Sequence, residues 1–256
     1  MFSISIDTAQ MLRFLLLFCR IGGVIVIAPL FGSERVPARA KAALAVMIAI
    51  VLTPVTGGVP AFDSAAMTGL AAAGEVLVGV AIGFGARLIF AAVNMAGELA
   101  DLQSGFGFAG IVSPQTGDHT SVIGQLQLSM AWLIFLGANG HHMVLNALGR
   151  SLAVVPLGAG PGLSASVLTH AVAGLIATAV QIAAPVVGAV ILSDLALGLL
   201  TRAAPQMNLL AIGFPIKLAV GLVATLLALP FLATAQRGLL WTMERILSAL
   251  LNEMRP

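Results

Sequence analysis

The sequence predicts an all-α, membrane-associated fold, and three observations carry that expectation. Of 256 residues, 59% are hydrophobic and only 9% are charged, whereas soluble domains carry roughly 25% charged residues. The apolar residues collect in about six segments, roughly 11–31, 40–59, 65–112, 122–148, 163–200 and 209–235. Most of these reach the ~20 residues a helix needs to cross a hydrocarbon core. The 28 glycines are spread along the apolar segments rather than pooled in one linker, and small residues in apolar helices let backbones approach closely.

Composition also excludes several classes. A formal charge of +2 is too small to argue for nucleic acid. A single cysteine, Cys19, allows neither an internal disulfide nor a cysteine metal cluster. There is no tyrosine, and the only tryptophans are Trp132 and Trp241, so an aromatic belt is nearly absent. The opening MFSISIDTAQ lacks the basic region of a signal peptide, and the N-terminus is expected to be retained.

Taken in order, the first segment carries Arg13 and Arg20 on one helix face. That placement fits either snorkelling toward head groups or a face turned to a partner. The basic turn from Ser33 to Lys41 reads as cytoplasmic by the positive-inside rule, which puts the N-terminus outside. The third and fifth segments are too long for one straight crossing and are expected to be tilted, kinked or paired. Pro185 is expected to kink the fifth, and Gly213-Phe214-Pro215 to break the sixth early. Thr234 to Met254 reads as a separate interfacial piece. Six simple crossings would leave the tail with Arg237, Arg245 and Arg255 outside, against the charge rule. Either the count is wrong or these helices do not all cross the bilayer, in which case hydropathy alone overstates the transmembrane content.

The third segment holds the most specific pattern. Arg87, Asn94, Glu98 and Asp101 fall within about 60° of one another on a helix. In lipid such a face must look at protein or water. The preferred reading is a helix lining a wet conduit or touching charged neighbour subunits; the other is a helix end leaving the membrane near Asn94. Upstream, Gly79 and Gly83 form a GxxxG step, a weak signal in a glycine-rich chain. Downstream runs a loop of Gly105, Phe106, Gly107, Phe108, Ala109, Gly110, Ile111, Val112, Ser113 and Pro114. Its glycines make it mobile and its apolar side chains could seal a pore, or it is a re-entrant packing loop.

Nothing in the chain supports catalysis: no HExxH or phosphate-loop pattern appears. His141-His142 are adjacent, do not share a helix face, and have no Cys or Glu nearby. A turn or interface role is the default for them, with no metal and no cofactor expected.

Four stretches carry a family resemblance: Ala96-Gly97-Glu98 through Leu102-Gln103, the Gly-Phe loop to Pro114, FLGANGHHMVLNAL from Phe135, and DLALGLLTRAAPQMNLLAIGFPIK from Asp194 to Lys217. The last holds the motif positions Asp194, Arg202, Pro205, Gln206, Pro215 and Lys217. Together they resemble the FliR family of flagellar export-gate proteins, whose virulence-type relatives are called SctT; Ile212-Gly213-Phe214-Pro215 looks more flagellar. The resemblance implies kinked helical hairpins packed in a right-handed helical assembly. It implies that residues 1–160 are similar to FliP and residues 161–256 to FliQ. The implied partners are FliP-like, FliQ-like and FlhB-like subunits, membrane lipid and unfolded flagellar proteins in transit across the bacterial inner membrane. It further implies a basal-body location and a pore-closing role for Gly105 to Pro114. Two positions depart from the family pattern: Ser104, where many members have Met, and Ser113, where many have Asp.

Two other classes stand beside this one. A secondary transporter would use Arg87 and Glu98 on a small solute, but no internal repeat is visible. An intramembrane enzyme would use His141, His142 and Asp194, with the least support.

Overall fold

The computed structural model describes residues 8–33, 36–60, 62, 64–107, 121–160, 165–204 and 209–255. Among them are seven helices and no strand. The helices are α1 (Thr8–Ile27), α2 (Ala38–Leu52), α3 (Ala65–Ser104), α4 (Val122–Gly137), α5 (Gly140–Val154), α6 (Ala165–Ala203) and α7 (Leu209–Glu253). Four of them, α1, α3, α6 and α7, are long and apolar enough to cross a membrane, and α4 with α5 makes a fifth candidate if counted as one broken span.

Each apolar segment of the sequence is helical, but the helices end where local chemistry ends them. The second segment stops early. Thr53 Oγ1 donates to the Ala49 carbonyl at 2.6 Å, and Pro54 follows, which cannot extend the ladder. With 15 residues, α2 is about 22 Å long, short of a ~30 Å hydrocarbon core. The fourth segment is broken between α4 and α5 at Asn139, which takes φ 56°. Asn is one of the few side-chain-bearing residues that visit this left-handed region routinely.

The sixth segment corrects an expectation. α7 runs 45 residues without interruption through Pro215 and Pro230, so Gly213-Phe214-Pro215 does not break it. Thr234 to Glu253 continues the same helix. Proline removes one backbone hydrogen bond, and long apolar helices tolerate that loss when neighbouring helices hold them. Pro185 likewise lies inside α6, which continues on both sides of it.

The chain forms two compact units. The first comprises residues 1–88, 139–171 and 241–256, and the second residues 89–138 and 172–240.

In the first unit, α1 and α3 cross through glycines. A Cβ on Gly23 would meet the Val76 carbonyl at 2.7 Å and Val80 N at 3.0 Å, and one on Gly83 would meet Ala28 N at 3.0 Å. Gly79 lies against the Arg20 carbonyl with no room for a side chain. The Gly79/Gly83 step is therefore the crossing point, where only a bare backbone allows this approach. Gly85, on the repeat of the same spacing, faces Leu247 and Leu250 of α7.

In the second unit, Gly97 of α3 abuts the backbone of Gly124 in α4. Phe90 meets Trp132 at a tilt of 33° with ring centroids 4.3 Å apart and meets Phe135 edge-on at 5.3 Å. Offset and edge-to-face geometries of this kind add to the burial of the rings themselves.

Candidate functional site

The polar positions of α3 have different surroundings. Arg87 and Glu98 are exposed, Asn94 is half-buried, and Asp101 is buried. Asn94 Nδ2 donates to Glu98 Oε1 at 2.7 Å, one turn along the same helix. Asp101 turns inward. Its Oδ1 accepts the Ile123 N–H at 3.1 Å, while Ser121 Oγ accepts the Gly124 N–H at 2.9 Å. Two orphan donors of the first turn of α4 are thereby satisfied, one by its own N-cap and one by a carboxylate from α3. A negative charge at a helix N-terminus is also favoured by the helix dipole.

α3 ends at Ser104, and Gly105 follows at φ 88°, a left-handed stop that glycine adopts without strain. The Gly107 N–H returns to the Asp101 carbonyl at 3.3 Å. Ser104 is fully buried and sits against Gly221 of α7, where a Cβ would come within 2.5 Å of the Ser104 Cβ. The Phe214 ring lies 3.1 Å from where a Cβ on Gly105 would be. Gly105, Phe106 and Gly107 are thus the described base of the Gly-Phe loop, seated on α7. Phe108, Ala109, Gly110, Ile111, Val112, Ser113 and Pro114 lie outside the described residues.

Two motif positions far apart in sequence come together. Lys217 Nζ of α7 and Asp194 Oδ1 of α6 are 2.8 Å apart, each side chain about one-third exposed. Arg202 is exposed near the end of α6, and Pro215 is exposed within α7. Pro205 and Gln206 lie outside the described residues. His141 and His142 form an edge-on ring pair at 4.3 Å. Among the described residues no three His, Cys, Asp or Glu side chains gather in a metal-binding group.

Among the described residues, a heavily bonded polar cluster is one the sequence did not single out. Arg20 and Glu75, 0% and 1% exposed, form an ion pair with Nε to Oε2 at 2.5 Å. Arg20 is therefore enclosed by protein rather than snorkelling. Two opposite charges inside apolar segments were the available signal, but nothing in the spacing paired positions 55 residues apart.

Long apolar helices crossing at glycines, with the buried Arg20–Glu75 ion pair and an apolar exterior that includes Leu192, Leu199, Leu227 and Phe231, define a helical multi-span membrane protein. The comparisons narrow that class. A family model described as "Bacterial export proteins, family 1" matches residues 11–243. The "Flagellar biosynthetic protein FliR" of Bacillus subtilis is 33% identical over 230 residues, covering 88% of this chain and 89% of the relative. FliR of Escherichia coli is 32% identical, covering 92% and 91%. The "Secretion system apparatus protein SsaT" of Salmonella typhimurium is 32% identical over a shorter stretch, 62% of each chain. The chain belongs to this family of bacterial export proteins, the FliR family.

Proposed function

We propose that the chain is a structural subunit of the flagellar type III protein export gate and forms part of the channel that passes unfolded flagellar proteins across the bacterial inner membrane. The observation that carries this reading is the family match from residue 11 to 243, joined by FliR relatives aligned over about nine-tenths of both chains. In this reading the protein acts without catalysis: it supplies a shaped passage, and other components supply the energy. Its partners are FliP-like and FliQ-like helical subunits and a FlhB-like subunit. Residues 1–160 and 161–256 are the FliP-like and FliQ-like parts by descent, a division along the sequence rather than by compact unit.

Within that reading, the exposed Arg87 and Glu98 face neighbouring subunits or the wet channel, and Gly105 to Pro114 close the pore. The seat of the loop base on Phe214 and Gly221 supports the second assignment, because a closure element needs a fixed root. The motif residues Asp194 and Lys217 hold α6 to α7, and Arg202, Pro205, Gln206 and Pro215 complete the motif along the sequence between them. A flagellar rather than virulence-type system is favoured by the fuller coverage of FliR than of SsaT.

The test is purification of the tagged full-length chain from detergent extracts of its own cells. Stable complexes of fixed stoichiometry with two small helical membrane proteins are the expected result. A chain recovered alone, and stabilised by a small solute, would contradict it.

A further inference from the structure

The Arg20–Glu75 pair belongs to the first compact unit, and neither the polar stripe nor the loop makes use of it. Every polar atom of the pair has a directed partner. Arg20 Nε donates to Glu75 Oε2 at 2.5 Å. Nη1 donates to the Ser151 carbonyl at 2.9 Å and the Ser151 hydroxyl at 3.2 Å, and Nη2 donates to the Val155 carbonyl at 2.9 Å. The other carboxylate oxygen, Glu75 Oε1, accepts the Gly158 N–H at 2.8 Å. Three stretches distant in sequence meet there: α1, α3, and the end of α5 with the turn that follows it.

Burial makes each of these groups depend on the others. A charged side chain in an apolar interior is costly unless it is paired and its remaining bonding positions are filled. The guanidinium offers its donors in a fixed planar fork, and two of its acceptors here are backbone carbonyls, whose positions are set by the fold of α5. The close approach of Gly79 to the Arg20 carbonyl pins the backbone from which the side chain extends.

We propose that Arg20 and Glu75 form a directed lock: α1, α3 and the Ser151–Gly158 segment order together, and none of the three holds its native place without the other two. During synthesis Arg20 precedes its Ser151 acceptor by 131 residues, so α1 reaches its final seat only after the turn at Gly158 has been made.

The test uses the full-length protein in detergent and hydrogen exchange read by mass spectrometry. Arg20→Met, uncharged and shorter, and Glu75→Gln, near-isosteric, are expected to raise exchange in residues 8–27 and 151–160 together by about tenfold or more. Peptides spanning Asp194 and Lys217 in the other unit keep the wild-type rate. Arg20→Lys keeps the charge, loses the fork, and loosens the same two segments. The exchange of partners, Arg20→Glu with Glu75→Arg, sets a carboxylate against two carbonyls and does not restore protection. Restored protection in that exchange, or in Arg20→Lys, would reduce the lock to an undirected charge pair and overturn it. Loosening of residues 8–27 with 151–160 unchanged would overturn it as well. If the single variants fail to accumulate, membrane-inserted protein levels carry the test. The charge-free pair Arg20→Met/Glu75→Gln then recovers above the partner exchange, and the opposite order contradicts the lock.

Discussion

Asp101 and Glu98 sit one helical turn apart and look alike in sequence, but Asp101 is buried and accepts the Ile123 N–H of α4, whereas the exposed Glu98 accepts from Asn94 of its own helix. Asp101→Ala is expected to cost about 1–2 kcal/mol, the usual loss on removing a helix cap. Glu98→Ala should stay within about 0.5 kcal/mol of wild type, as exposed positions do. Denaturant unfolding of the purified protein separates the two; equal losses would show that the carboxylate of Asp101 has no capping role. On the proposed subunit-facing role of the stripe, Glu98→Ala is expected to weaken co-purification with partner subunits without loss of stability; unchanged co-purification would count against that role. By helical periodicity the sequence placed all four stripe residues on one face. It could not show which member points at α4, because α4 begins beyond a loop whose path periodicity does not describe.

Between elements, the glycine contacts are the most decisive feature. Gly221 of α7 and Ser104 at the end of α3 occupy one space. Gly221→Ala is therefore expected to destabilise the protein by about 1–3 kcal/mol through overpacking. Adding Ser104→Gly should return part of that loss, a non-additivity typical of residues in contact. Thermal unfolding of the two single variants and the pair reads it out, and strictly additive effects would contradict the seat of the loop base on α7. The Asp194–Lys217 bridge, with both side chains about one-third exposed, should contribute only about 0–1 kcal/mol. Lys217→Ala ought to act chiefly on assembly, with the unfolding midpoint barely moved. At this scale the sequence was informative about helices and poor about their ends. Apolar runs located every helix, but Pro215 was over-weighted as a breaker. α7 continues through Pro215 and Pro230, since losing one backbone hydrogen bond at a proline does not end a long apolar helix. The Gly79/Gly83 step, weak as a motif, proved to be the crossing of α1 and α3, since its neighbours there are backbone atoms of the other helix.

For the whole molecule, the charge conflict posed by six crossings changes once α2 is too short to span. If the α4–α5 pair is counted as one broken span, the candidate crossings number five, and an odd number returns the C-terminus to the side of the basic start of α2, with Arg39 and Lys41. Arg245 and Arg255 then lie on the side the positive-inside rule favours. A reporter fused after the last residue is expected to read cytoplasmic, and a periplasmic reading would contradict the five-span count. Function at this scale was legible from the Gly-Phe loop and the Asp194–Lys217 stretch, because their residue order is specific. The Arg20–Glu75 lock was not, since its bonds join positions 55 to 135 residues apart and depend on a turn that sequence patterning does not place.

The central claim, that this chain is an export-gate subunit, is tested most directly by secretion. In cells of its own species lacking the chain, flagellar proteins in the culture fluid and their levels inside the cell are measured with and without the chain restored. The account predicts that the secreted flagellar proteins disappear when the chain is absent and return with it, while intracellular synthesis in the restored cells matches wild type. Undiminished secretion without the chain would contradict it.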